Sequence, residues 1–161
     1  MEIGYVDDPG KVAGVRYIGE GAMGEILIGT CSWSQHEGYY PEGLRSTEQI
    51  SYYAREFPVV ELDATFYTMM PERNFAAWAR RTPEGFLFDV KPYRQLSWHD
   101  RKNPPDDEIA EAFRRMLQPL RDAGKLGALH FQFPPWFKYA ENTLDYIRHI
   151  HDRFPDDRMS V

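Results

Sequence analysis

A single cysteine, Cys31, occurs in the 161 residues. That excludes an intrachain disulfide and any multi-cysteine zinc site. As a nucleophile Cys31 would need a partner histidine and an electropositive setting, and spacing establishes neither, so it reads as a buried or idle thiol. No apolar run approaches the roughly 20 residues of a membrane span. The N-terminus, with Glu2, Asp7 and Asp8 and no apolar core, does not read as a secretory signal. Positive charge is also in short supply: 19 Lys and Arg face 25 Asp and Glu, for a net charge of -6. No global positive field therefore invites nucleic acid, although a local basic groove is compatible with this balance. These absences together describe a cytoplasmic protein without membrane contact.

What is present is 42% hydrophobic and 15% aromatic residues, which suits one globular domain. Residues 59–67 are the stretch to read first, because an apolar strand should not carry two carboxylates unless something needs them. Side chains alternate along a strand, so Val60, Leu62, Ala64 and Phe66 face one way and Glu61, Asp63, Thr65 and Tyr67 the other. Two more segments repeat the pattern. Phe86, Phe88 and Val90 oppose Leu87, Asp89 and Lys91, and Leu129, Phe131 and Phe133 oppose His130 and Gln132. Helix-length amphipathic segments separate the three, the signature of βαβ units with parallel strands. Central strands of an open doubly wound sheet are covered on both faces and read as continuous apolar runs. One apolar and one polar face, repeated in parallel, instead predicts an α/β fold of the TIM-like kind, a parallel β/α barrel. Such barrels typically need about 250 residues, so the expectation is an incomplete barrel of about four βα units plus the start of a fifth strand.

In chain order, residues 1–24 hold six glycines and no sustained period, and read as a flexible leader. The glycine pattern in residues 19–24 lacks the preceding strand and following helix of a dinucleotide-binding loop. Residues 25–30 form strand one, with Ile26, Leu27 and Ile28 as its apolar part. Ser46 or Thr47 caps a helix to about Glu56, Pro71 opens another to Arg81, residues 106–123 make one longer helix closed by Gly124, and Asn142 caps a last one. Residues 158–161 begin a further apolar strand. Residues 25–161 thus form one barrel-type domain.

The segments Ile28-Gly29-Thr30-Cys31-Ser32-Trp33, Tyr40-Pro41-Glu42-Gly43-Leu44, Tyr52-Tyr53-Ala54, Val60-Glu61-Leu62-Asp63-Ala64-Thr65-Phe66-Tyr67, Arg81-Thr82-Pro83-Glu84-Gly85-Phe86, Val90-Lys91 and Phe131-Gln132-Phe133-Pro134-Pro135, with Trp78, fall in order along the chain. In them the sequence resembles the YecE-like proteins, a family of unknown function whose members look like TIM-type barrels. The resemblance covers the family's N-terminal half to two-thirds. Family members usually carry asparagine where this chain has Asp63, and glycine or a similar small residue where it has Ser32.

Barrel proteins place their reacting groups at the C-terminal ends of the strands. That selects Glu61, Asp63, Lys91 and His130 as candidate catalytic residues, a carboxylate acting as general base and Lys91 or His130 as acid or electrostatic stabiliser. Trp33, Thr65, Tyr67, Arg94, His99 and Gln132 are the candidate ligand-binding residues. The competing reading is an ion-paired interior in which Lys91 neutralises Glu61 or Asp89 and nothing reacts. Glu61, Asp63, Asp89 and His130 are also inward metal donors, but no short ligand spacing supports them, so no metal site and no cofactor is assigned. An alternative is nucleic-acid binding or processing, with Arg94, Arg101 and Lys102 on phosphate and Trp33, Tyr39 or Trp98 on bases. A truncated, non-functional fragment is the third reading. The nature of the ligand, small molecule or nucleic acid, is not legible, and the open edges of an incomplete barrel predict self-association.

Overall fold

The computed structural model describes residues 18–19, 22–23 and 26–161. Most of the segment read as a leader, and Glu25 of the first strand, lie outside the described residues. Within that segment β1 (Ile18–Gly19) and β2 (Ala22–Met23) pair antiparallel.

Five parallel strands follow in sequential order: β3 (Gly29–Cys31), β4 (Val59–Leu62), β5 (Leu87–Val90), β6 (Leu126–His130) and β7 (Arg158–Ser160). Between them run α1 (Ser46–Tyr53), α2 (Ala64–Tyr67), α3 (Glu72–Arg81), α4 (Asp107–Met116), α5 (Gln118–Asp122) and α6 (Glu141–Arg153). This is the α/β, TIM-like arrangement expected, with four βα units and a fifth strand.

The apolar halves of the strands build the core as the alternation requires. Val60, Leu62, Phe88, Val90 and Leu129 are buried against Ile50 and Tyr53 of α1, Phe75 of α3, Phe113 and Met116 of α4, and Ile150 of α6. Each fully buried side chain of this size contributes about 1.5–3 kcal/mol over its exposed state. The opposite faces of β4 and β5, with Glu61, Asp89 and then Lys91, are only half-buried.

Several local expectations are corrected. The first strand begins later, at Gly29, and Ile26 and Ile28 are about half exposed rather than core. The alternation in residues 59–67 stops at Leu62, because Asp63 turns the chain into the one-turn helix α2. Thr65 consequently leaves the polar face: it is fully buried and donates to Leu62 O and Lys91 O, both at 2.7 Å. The residue preceding α1 is Arg45, whose guanidinium pairs with Glu48 in the first turn, so neither Ser46 nor Thr47 is the cap. Ala140, not Asn142, precedes α6, and its N–H donates to Thr143 Oγ1. The single long helix is two, broken at Leu117, because Pro119 has no N–H to give and its ring crowds the carbonyl four residues back. Gly124, at φ +64°, does end α5: Lys125 N–H reaches back to Leu120 O at 2.8 Å.

The register decides which polar groups meet. Cys31 lies opposite Glu61, and Glu61 opposite Asp89. Between β5 and β6 it slips, Phe88 pairing with Leu126 but Val90 with Leu129. Asp89 fills the irregularity by accepting the Ala128 N–H at 2.7 Å, and a Cβ at Gly127 would collide with that same carboxylate oxygen. Asp89 is thereby a structural residue of the sheet.

Candidate functional site

The C-terminal ends of β3, β4 and β5 bring Cys31, Glu61, Asp63 and Lys91 together. Each comes from the last residue of its strand, or from a position one or two residues either side of that end, which is why three separate segments converge. Lys91 Nζ donates to Asp63 Oδ1 at 3.0 Å and stands 4.8 Å from the centre of the Phe66 ring. Glu61 has no ion-pair partner among the described residues. The expected pairing of Lys91 with Glu61 or Asp89 is not the one formed: Lys91 pairs with Asp63 instead, and Glu61 is left without an ion-pair partner among the described residues.

One donor atom from each of Cys31, Glu61 and Asp63 lies within 4.8 Å of the others, so these three are the residues able to share a metal ion among those described. Asp89 and His130, the other donors expected to point inward, are engaged elsewhere, Asp89 with Ala128 and His130, which is exposed, through Nδ1 with Ser160 Oγ at 2.8 Å. Cys31 is exposed rather than buried. Partial burial of its thiol, then the charges of Glu61 and Asp63, push its pKa up against a smaller opposing pull from Lys91. The thiol is thus held protonated, opposite to what a nucleophile needs.

Two cavities meet at Glu61. The larger, about 610 Å³, runs from Glu61, His130 and Gln132 to Phe133, Phe137, Leu144 and Ile147 on α6 and its approach. This volume lies in the range of small-molecule sites. The smaller, about 130 Å³, lies between Glu61, Asp63, Trp33, Met70 and Trp78. Trp33 packs edge-on against Trp78 at 5.2 Å between ring centres, and Tyr39 is enclosed by Tyr40, Tyr52 and Phe57. Trp33 and Tyr39 are both partly buried in these packings, which leaves little open stacking face on either ring. Tyr67 is well exposed outside the mouth.

The loop after β5 forms the opposite rim. Arg94 N–H donates to Phe66 O, and its guanidinium lies 3.6 Å from Asp100. Asp100 also accepts from the backbone of Lys102 and Asn103 and from the Asn103 side chain, so its carboxylate ties the loop to itself and is held below the usual carboxylate range. Trp98 sits at φ +60°, an outlier for a bulky residue that costs about 1–3 kcal/mol. That turn presents His99, whose Nδ1 lies 3.0 Å from Ser97 Oγ and whose ring meets Phe66 edge-on at 4.9 Å. Burial, and then the nearby Lys91 charge, lower the His99 pKa, which keeps it neutral near pH 7. Ser32, at φ +63°, is a second strained residue at the mouth.

Sequence reasoning missed two residues here. Cys31 is placed by the β3–β4 register, which single-strand alternation does not reveal. Trp136 joins the rim only through tertiary contact, its Nε1 donating to Trp98 O at 3.3 Å and Arg101 stacking 4.2 Å above its ring.

Fold and site define a β/α barrel-type protein with a polar C-terminal mouth. The family described as "Protein of unknown function DUF72" matches residues 27–161, and the chain belongs to that family. It is 40% identical over 126 residues to UPF0759 protein YunF of Bacillus subtilis, an alignment covering 76% of this chain and 45% of that protein. It is 30% identical over 132 residues to UPF0759 protein YecE of Escherichia coli, covering 82% and 45%. A crystal structure of a DUF72 family protein from Enterococcus faecalis superposes with TM-score 0.71 at 26% identity, over 81% of this chain and 48% of the other. Another from Thermotoga maritima gives 0.67 at 28% identity, over 83% and 54%. The chain therefore spans about half the length of the relatives it matches. Among the described residues, no helix is long and apolar enough to cross a membrane.

Proposed function

We propose that the chain carries the ligand-binding mouth of an enzyme acting on small molecules by proton transfer. The observation that carries this reading is the Glu61 carboxylate, unpaired among the described residues, placed where two cavities meet and beside the Asp63–Lys91 pair. Glu61 is the base. Lys91, oriented by Asp63, stabilises the negative charge that develops when a proton leaves the substrate. His130 and Gln132 line the same cavity as Glu61 and supply hydrogen bonds that orient the ligand. Thr65 supports the site indirectly, since its hydroxyl ties the end of β4 to the Lys91 carbonyl. The nucleic-acid alternative loses two of its stacking residues, because Trp33 and Tyr39 are packed inward.

The test is an unbiased metabolite screen of the 161-residue chain, scored for both binding and conversion, with Glu61→Gln in parallel. The expected result is a ligand whose conversion falls by about 100-fold or more in the variant while binding persists, the scale of a general base. Conversion unchanged by the substitution defeats the reading.

We also propose that the chain self-associates through its sheet edges. Among the described residues β3 and β7 each have one strand neighbour, and Ile26 and Ile28 lie exposed beside β3. Light scattering across micromolar concentrations should show mass rising above 18.9 kDa. A concentration-independent monomer refutes this.

A further inference from the structure

A row of three rings with a cation at each end leads outward from the mouth. Lys91 Nζ lies 4.8 Å from the Phe66 ring centre, Phe66 meets His99 at 4.9 Å, His99 meets Trp136 at 6.2 Å, and the Arg101 guanidinium lies 4.2 Å from the Trp136 centre. Three segments distant in sequence build this row: α2 after β4, the loop after β5 and the loop after β6. It is fixed by the Trp136 Nε1 bond to Trp98 O and by the strained Trp98 backbone.

The charges along it are not balanced. Lys91 has Asp63 and Arg94 has Asp100, but Arg101 and Lys102 have no carboxylate partner among the described residues. The nearest acid in the loop, Asp100, is already occupied by three hydrogen bonds from Lys102 and Asn103. An arginine stacked on an indole keeps its N–H edge outward and loses little further freedom when it meets an oxyanion. Two unpaired positive charges match a phosphate monoester, which carries about −1.5 to −2 near pH 7. Trp136, partly exposed, offers ring surface beside them.

We propose that this rim binds a phosphate monoester attached to a planar ring, with Arg101 and Lys102 holding the phosphate and Trp136 contacting the ring. The inference rests on the reading of the mouth as a small-molecule site, and it names the substrate class of that site. It orients such a ligand with its phosphate outward and its remaining groups toward Lys91 and Glu61.

Calorimetric titration of the 161-residue chain with adenosine monophosphate, flavin mononucleotide and pyridoxal phosphate, each beside its dephosphorylated parent, tests it. At least one phosphorylated compound should bind 10-fold or more tighter than its parent. Arg101→Gln, at an exposed position, should abolish that preference, and Trp136→Leu should weaken phosphorylated and parent compounds alike. Glu61→Gln should leave the preference intact, which separates this proposal from the catalytic one: loss of the phosphate preference with Glu61-dependent conversion retained fails only the rim. No phosphate preference in the unaltered chain, or a preference indifferent to Arg101, overturns the proposal. So does a single-stranded oligonucleotide binding 100-fold tighter than its mononucleotide with steep salt dependence, which would make the rim a polyanion track.

Discussion

The two ends of the parallel sheet treat their polar groups in opposite ways. At the N-terminal end, Arg121 and Asp157 form a bidentate pair at 2.8 and 2.5 Å, nearly closed to solvent, and the third guanidinium nitrogen donates to Arg114 O. Lys125 is buried there too, with Nζ donating to Ala79 O, Thr82 O and Thr82 Oγ1 and so closing the end of α3. At the C-terminal end Glu61 is unpaired among the described residues, the Cys31 thiol is held protonated beside two carboxylates, and Ser32 and Trp98 adopt left-handed backbone. Groups with their hydrogen bonds complete hold a fold together, whereas incomplete groups and local strain are what a ligand can use. The contrast follows the division of labour in barrels, with stability at one end and chemistry at the other.

The comparison breaks most visibly at the N-terminal end. Arg121→Met leaves Asp157 as a buried charge without its partner, and removing one half of such a pair costs about 3–5 kcal/mol. Urea unfolding should register a loss of that order, with ligand binding at the mouth unchanged wherever the variant is folded. Lys125→Met should cost about 2 kcal/mol, because the carbonyls of Ala79 and Thr82 lose their donor at the end of α3. A loss below about 0.5 kcal/mol in either variant would mean that this end of the sheet is not where stability resides.

How much of this was legible in the sequence differs by length scale. Val60 and Leu62, Phe86, Phe88 and Val90, and Leu129 and Phe131 show the period of two that assigned the core faces correctly, since a strand with one buried face cannot slip by one residue. The same rule fails beyond Leu62, where the strand has ended: Thr65 follows the hydrogen bonds available to it, not the pleat. Pro119 is visible in the sequence, but a continuous apolar stripe on either side of it masks its power to interrupt a helix. In the site, Glu61, Asp63 and Lys91 were legible because each lies within one residue of the C-terminal end of its strand. Cys31 needed the register between two strands, Trp136 needed the meeting of two loops, and the Arg121–Asp157 pair needed contact across 36 residues. None of these is a property of a local window.

At the mouth the expected effects are smaller and opposite in sign. Glu61→Gln removes a carboxylate that has no ion-pair partner among the described residues, and should leave stability unchanged or raise it by up to about 1 kcal/mol. Ser32→Gly relieves a left-handed residue, which costs roughly 1–2 kcal/mol for an L-amino acid, less the entropy that glycine adds to the unfolded chain and the Ser32 Oγ bond from the Ser34 N–H. A net gain of about 0.5 kcal/mol or more in urea unfolding is expected. Losses above about 1 kcal/mol in both variants would show that the mouth contributes to stability as the other end does, and the contrast would fail.

The smallest effect is the most selective test of the mouth's electrostatics. His99 is packed against Phe66 and Trp136, with Ser97 Oγ at Nδ1 and the Lys91 ammonium nearby; burial first and that charge second lower its pKa below 6.5. The folded protein therefore binds fewer protons at His99 than the unfolded chain does between the folded pKa and 6.5. Stability must rise with pH through this window and fall as pH drops below the unfolded value. Thermal midpoints measured at about pH 7.5 and about pH 5.5 should show this decrease, and His99→Gln should remove part of it. Lys91→Gln should shrink the His99 contribution, because the second cause of the lowered pKa is gone while burial remains. If His99→Gln leaves the difference between the two midpoints untouched, the histidine is not held neutral by the rim, and the electrostatic distinction between the two ends loses its support at that residue.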